Sequence, residues 1–526
     1  MPSYDGEKLT KMAKRACEEV ELNRGIFIDA EELTIPFRNT WDNPPGMKTH
    51  NINTRNFDST AMIAKQNFVN TMVNQAIPPF TRWVGLTAGS AFKDSERDFV
   101  NKSLEGINTL VKEVRDASNF YTSAPEMFHD VAISTGVLMV LEGTIDAPIN
   151  YVAVPLSQMG MLEGKHGGID FFVRKNNIEA RLIKETWPKA KILPEIAKRI
   201  EASKNDCREH HICLHECFYY DYESMVWRYE LLYPEAKEVL LKSTSIHCPI
   251  VTWRWSKVPG FSTGIGPVLM ALSDIKTLNK LQELTLRMAA LNVYGVYTAA
   301  NDMALNPNIA MIQPGAIIPV SRNSGPEGPS LQRLETAGNF EAQQWMIQSM
   351  QEQVRKILLD DQYRVEPGVQ RTAFEVSQIM RQLQTDIGAA FGRFLHEFAM
   401  NLVRREVEIL ANMGLIQLPQ QFNIDNFFIK VQVTSPIAHA QNTEDVERFT
   451  YTYEILRNIN PALAETALEL ASLPGYLVEK LGPSPSLFKD KQQIEMALQA
   501  QAEAAALMQA AQMEGGFAQQ QQRMAA

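Results

Sequence analysis

The stretch Gly260-Phe261-Ser262-Thr263-Gly264 has the residue types and spacing of a nucleophile elbow. In that device a serine sits on a sharp strand-to-helix turn, where a histidine can take its proton. A serine hydrolase would also need an acid and then a histidine further on, an order that Asp274, His396 and His439 supply. The surroundings argue against it: Pro259 and Gly260 part the serine from the preceding strand, and Pro267 delays the helix. A second cluster, Cys207-Arg208-Glu209-His210-His211-Ile212-Cys213-Leu214-His215-Glu216-Cys217, is dense in soft metal ligands. On a strand His211, Cys213, His215 and Cys217 share one face, but four ligands in a row suit tetrahedral zinc poorly, and no C-x2-C pair is present. The two readings are a zinc-stabilised scaffold and an ordinary half-buried strand. Gly160-Met161-Leu162-Glu163-Gly164-Lys165-His166 has the outline of a phosphate loop, yet it is one residue short and has histidine where serine or threonine must meet magnesium. No cofactor is expected.

A fourth constellation is Asp360-Asp361-Gln362-Tyr363-Arg364-Val365-Glu366-Pro367-Gly368-Val369-Gln370-Arg371, a polar break between two helices. Tyr363, Arg364, Gln370 and Arg371 suit contacts to phosphates, which position a duplex without reading it. A solvated turn is the plain alternative.

The elements around these residues are long. From 372 to 413, Ile379, Leu383, Ile387, Phe391, Phe394, Phe398 and Leu402 recur at spacings of three and four, forming one apolar stripe on a rod roughly 60 Å long. Gly414 is a natural stop. Such rods brace assemblies more often than they cradle small substrates. Pro267 opens another helix, to about Leu291, whose Leu272, Ile275, Leu278, Leu281 and Leu284 are spaced by three. That spacing lags the helical turn, so the stripe drifts round the rod and needs neighbours on several sides, as staves in a ring have. Residues 292–339 are punctuated by proline and glycine, with short strands at 309–312 and 317–320, and a helix from Phe340 to Leu359 returns the chain.

Before these rods the chain reads as helical to about 130, with helices at 7–22, 60–77, 95–120 and 124–135 and a strand at 80–86. The 60–77 helix is expected to carry Ile63, Phe68, Met72 and Val73 on one side. From 136 to 258 the period switches to two, giving strands at 137–141, 151–154, 169–173, 212–220 and 250–255. Residues 225–231 pair with 212–220 as a hairpin, and a helix at 184–203 interrupts the block. A strand at 427–433, helices at 443–459 and 461–472, and a Gln/Ala/Met-rich tail from Lys489 complete the chain.

A length of 526 residues predicts two to four domains, and 45% hydrophobic with 21% charged residues excludes wholesale disorder. The net charge of −10 argues against a sequence-reading DNA binder; it is compatible with a protein that encloses DNA without gripping it, and the plain alternative is that it keeps the protein soluble. Five cysteines, an odd number, fit a reducing compartment. No signal-peptide core or bilayer-length apolar run is present, so cytoplasmic synthesis and no membrane partner are expected.

Four stretches, in order, carry a family resemblance: Asp58-Ser59-Thr60 with Pro78-Pro79-Phe80-Thr81-Arg82-Trp83-Val84-Gly85-Leu86; Phe261-Ser262-Thr263-Gly264-Ile265-Gly266-Pro267 leading to Leu278-Asn279-Lys280-Leu281-Gln282-Glu283; Gln370-Arg371-Thr372-Ala373-Phe374-Glu375-Val376; and Thr434-Ser435-Pro436-Ile437-Ala438-His439-Ala440-Gln441. In these the chain resembles the head-to-tail connector (portal) proteins of short-tailed, T7-like bacteriophages. The resemblance implies an α+β, mainly helical portal fold, one subunit of a dodecameric ring without a catalytic site. It implies a wing from 1–265 and 372–440, stem helices at 266–291 and 340–359, a clip at 292–339, a tunnel loop at 360–371, a crown at 441–488 and a helical tail at 489–526. It places Tyr363, Arg364, Gln370 and Arg371 at the DNA channel and Leu272, Ile275, Leu278, Leu281 and Leu284 between subunits. Arg322, Asn323, Glu327 and Arg333 would lie on the docking face. Implied partners are further copies of the chain, the terminase large subunit, a tail adaptor, the major capsid and scaffolding proteins, and double-stranded DNA without sequence preference. The implied location is the portal vertex of the virion, after assembly in host cytoplasm.

Overall fold

The computed structural model describes residues 4–38, 40–41, 56–89, 91–92, 94–205, 211–300, 317–320, 331–333, 340–360, 387–416, 429–434 and 436–459, with residues 473, 476–477, 494, 496–497 and 500. It is α+β and mainly helical. The chain forms two compact units: residues 1–71, 124–138 and 153–369, and residues 72–123, 139–152 and 370–526.

The first unit is built on a five-stranded antiparallel meander, Met159–Glu163, Ile169–Glu179, His211–Asp221, Val226–Tyr233 and Glu238–Ser245. The expected hairpin forms across Asp221–Met225, in register Tyr220↔Trp227. Alternation dresses the two faces differently. Phe171, Val173, Cys217 and Tyr219 receive Leu9, Ala13, Ala16 and Cys17 from helix Gly6–Glu21. Ile212, Leu214, Leu231 and Tyr233 receive Ile183, Leu193, Ile196 and Ile200. Each fully buried Leu or Ile contributes about 1.5–3 kcal/mol. Gly160 lies on the first strand, where a Cβ would stand 2.7 Å from the Cys17 nitrogen. Its glycine serves helix-on-sheet contact, not phosphate.

The single helix expected at 184–203 is instead a turn at Ala180–Leu182, one helical turn at Ile183–Thr186, and a separate helix Pro194–Asn205. Pro188 and Pro194 cause the split, because each pushes its preceding residue out of the helical region. Helix Thr60–Ala76 buries Phe68 and Met72 but leaves Ile63 exposed, so the expected face was drawn one residue too wide. Helix Arg24–Thr34 and strands Met159–Glu163 and Glu238–Ser245 were not foreseen.

In the second unit Val84–Ala88 pairs antiparallel with Ile429–Val433. The strand starts later than expected because Phe80, at φ 61°, still belongs to the turn after Pro78-Pro79. Two asparagines of helix Asp94–Ala117 satisfy the free edge of this pair: Asn108 Oδ1 accepts from the Leu86 N–H at 2.7 Å, and Asn101 Oδ1 from that of Ala88 at 2.7 Å. Of the expected 372–413 rod, residues 387–413 are described, and they are not uniformly α-helical. Phe394–Ala399 is a π-helical turn, followed by α-helix Met400–Asn412. The rod ends as foreseen: Gly414 has φ 75°, its N–H donates to the Ala411 carbonyl, and the Leu415 N–H donates to the Leu410 carbonyl, the Schellman pattern. Helix Pro436–Ile459 begins earlier than the expected 443.

Candidate functional site

Pro267 starts a helix at Gly266, as expected, but Ala271 (φ −92°, ψ 0°) breaks it, and the main helix runs Leu272–Tyr294. Gly295, at φ 71°, ends it. Helix Phe340–Ile357 packs beside it. Gln343 meets Met288 Sδ at 3.3 Å, while Gln351 and Asn279 both meet Asp58. The two helices therefore run antiparallel.

Asp58 is the hub of their root. Its N–H donates to Asn279 Oδ1 (3.3 Å), beside the shorter bond from the Phe57 N–H (2.7 Å). One carboxylate oxygen accepts from the Thr60 N–H at 2.9 Å, capping helix Thr60–Ala76, and the other accepts from Gln351 Nε2 at 2.8 Å. One residue thus ties three helices together, two through its carboxylate and the third through its backbone N–H. The turn Phe261–Gly266 is wedged just as closely. Gly264 N–H donates to Thr135 Oγ1, Ser134 Oγ donates to the Gly264 carbonyl, and a Cβ on Gly266 would lie 2.3 Å from the Ala132 oxygen. In the second unit, Thr434 donates from its N–H and its hydroxyl to the carbonyls of Trp83 and Arg82, each at 2.7 Å. Three of the four sequence stretches are therefore joints of the fold.

The predicted stave residues divide in two. Leu272, Ile275 and Leu278 are buried within the chain itself, Leu278 to 1% exposure, so the inner half of the stripe is core. Leu281 is half-buried and Leu284 is 45% exposed. Leu286, Val293, Tyr294, Trp345 and Met346, on the far half of the helix pair, are exposed as well. Charges there pair locally: Lys280 donates to Glu283 at 2.8 Å and Arg287 bonds the same carboxylate. The bond from Lys280, with both cations near, holds the Glu283 carboxyl below its usual range. Beyond the pair, strand Tyr297–Ala300 lies between Ile317–Val320, parallel, and Leu331–Arg333, antiparallel. Arg333 is exposed and donates to the Asn292 carbonyl. Tyr363, Arg364, Gln370, Arg371, Arg322, Asn323, Glu327 and the strand expected at 309–312 lie outside the described residues, as do Cys207 and His210.

The enzyme reading loses its nucleophile. Ser262 is 1% exposed, its carbonyl accepts from Arg254, and its hydroxyl is buried without a hydrogen-bond partner among the described residues. An elbow serine must meet substrate. The His/Cys strand forms as drawn, and burial holds Cys217 well up as a thiol, the form that does not bind zinc. No metal-holding group of three ligands occurs among the described residues.

Sequence reasoning missed the most buried charges. Arg115 Nε and Nη2 donate to the two oxygens of Glu406 (3.0 and 2.5 Å), and Tyr151 Oη donates to Glu406 Oε1 at 2.6 Å. Arg115 stacks over Trp83, 4.9 Å from the ring centroid. Burial alone would lower the Arg115 pKa; Glu406 more than reverses it. Burial and then Glu406 hold Tyr151 protonated. The network fastens Met400–Asn412 to Asp94–Ala117 within the second unit.

The model of the family described as bacteriophage head to tail connecting protein matches residues 7–487. A search of curated proteins returns no match. Among solved structures, a chain from the virion of a native gene transfer agent particle is 10% identical, covering 75% of this chain and 89% of that one, at a TM-score of 0.34. A chain from the neck of an empty gene transfer agent particle is 11% identical, covering 74% and 88%, at a TM-score of 0.32. Scores this low carry no argument; the family match stands without them.

Proposed function

Since the chain belongs to the bacteriophage head-to-tail connecting protein family, we propose that it is the portal subunit. It assembles as a closed ring, twelvefold in this reading, at one capsid vertex. Genomic double-stranded DNA is packaged and ejected through the ring, which docks first the terminase large subunit and then a tail adaptor. In this reading 1–265 and 372–440 are wing, 266–291 and 340–359 stem, 292–339 clip, 360–371 tunnel loop and 441–488 crown. The tail from 489 joins the crown. Tyr363, Arg364, Gln370 and Arg371 face DNA, and Arg322, Asn323, Glu327 and Arg333 face the motor and tail.

One observation carries the reading beyond the family match. The antiparallel pair is rooted in the core through Asp58, while Leu284, Leu286 and Trp345 on its far half are exposed. A protein surface avoids an apolar strip of this kind unless another surface meets it. Identical copies arranged head-to-tail cover it without leaving an end. An acidic wall repels a polyanion weakly and lets it slide.

Deleting residues 363–370 tests the channel assignment. Rings should still assemble, and DNA packaging or retention should fail. Loss of rings, or normal packaging by the variant, counts against it.

A further inference from the structure

Away from the helix pair, the first unit holds a cavity of about 670 Å³ between the turn at 34–38, helix Thr60–Ala76 and residues 126–130, within the usual size of a small-molecule site. Ile35, Pro36, Phe37, Met62 and Ile63 make its walls mostly apolar. Its polar side is unusual. Lys65 is 1% exposed, and among the described residues its ammonium makes one hydrogen bond, to Thr34 Oγ1 at 3.3 Å. An ammonium has three donors. His129, also lining the cavity, has its Nδ1 buried without a partner among the described residues.

The neighbouring carboxylates are committed elsewhere. Asp130 takes a two-pronged bond from Arg38 at 2.7 and 2.8 Å. Glu31 accepts from the Thr40 hydroxyl and N–H, and burial raises its pKa. Glu126 is exposed at the rim.

We propose that this cavity binds a small organic monocarboxylate with an apolar body, its carboxylate taken by Lys65 and His129 and its body lying along Ile35, Pro36 and Met62. A cationic ligand would meet Lys65 inside, where the carboxylates of Glu31 and Asp130 are already committed, with only Glu126 out at the rim. A dianion would bring more charge than one ammonium offsets, with Glu31 and Asp130 behind it. Burial lowers Lys65 to about 7 and His129 to about 4. An anion arriving beside Lys65 favours its charged form, so binding near neutral pH takes up a proton.

The test uses the full-length protein and 4-(trifluoromethyl)benzoate, followed by fluorine NMR, with the matching benzyl alcohol as the uncharged control. Saturable binding of the benzoate, at least about tenfold tighter than the alcohol, is expected, since a buried charge-assisted hydrogen bond is lost in the control. Lys65→Met should weaken the benzoate about tenfold or more, and Met62→Trp should block it by filling the apolar wall while leaving the charges. Calorimetry in two buffers should show uptake of about half a proton near pH 7 that vanishes near pH 5, where Lys65 is already charged. Equal binding of acid and alcohol, binding that survives both substitutions, or no saturable binding overturns the proposal.

Discussion

Replacing Glu406 by alanine removes the counter-charge of Arg115, a guanidinium whose side chain is 4% exposed. Three hydrogen bonds go with it, two from Arg115 and one from Tyr151. The arginine cannot reach water without opening the Trp83–Phe120–Phe394 stack around it. Breaking one side of a buried pair costs about 3–5 kcal/mol, and the orphaned tyrosine hydroxyl adds about 1–3 kcal/mol where no water reaches it. For a unit of this size each kcal/mol moves the midpoint by about 2–4 °C, so a fall on the order of 10 °C or more is expected. The assay is scanning calorimetry at one fixed protein concentration, because assembly makes the midpoint concentration-dependent. The Arg115→Met/Glu406→Leu double variant should recover most of the loss, since apolar replacement of a whole buried pair is near neutral. A Glu406→Ala midpoint within about 2 °C of wild type would refute the assignment of the pair as a desolvated fastener.

Leu278→Asp should unfold or destabilise the single chain, because it places a carboxylate inside that chain's own core. Leu284→Asp should leave the fold intact and block assembly; circular dichroism with size-exclusion chromatography separates the two. Gly266→Ala should cost about 2 kcal/mol or more in urea unfolding, since its Cβ meets a backbone oxygen that cannot yield. Lys65 gives a pH signature. Its folded pKa of about 7 lies below the ordinary 10.5, so the unfolded chain holds the extra proton between those values and stability rises with pH across that window, by at most about 5 kcal/mol. Lys65→Met should abolish this rise and be more stable than wild type at pH 7; an unchanged slope would place the ammonium in water.

Local signals were legible where one residue type decides the backbone. Gly414 stopped its helix, Pro267 started one, and the 212–220 hairpin formed in place. Met159–Glu163 escaped because Gly160 weakens a strand pattern until a helix is seen to lie on it. Glu238–Ser245 escaped because its exposed Lys242 and Ser243 hide the alternation. Buried charges were invisible for a different reason. Arg115, Glu406 and Lys65 each sit on a helix, where a charged residue normally marks the solvated face; only tertiary pairing puts them inside. The leucine stripe showed that neighbours were needed but not whose. Leu278 is buried within the chain, and Leu284 stands 45% exposed.

The most direct measurement is the mass and projection of the purified full-length protein, by light scattering and negative-stain microscopy. A closed annulus with a central hole, and a mass many times the 59.3 kDa chain, is the expected result. A monodisperse single chain at high concentration, with Leu284 and Trp345 still exposed to solvent, would contradict the reading of these helices as staves around DNA.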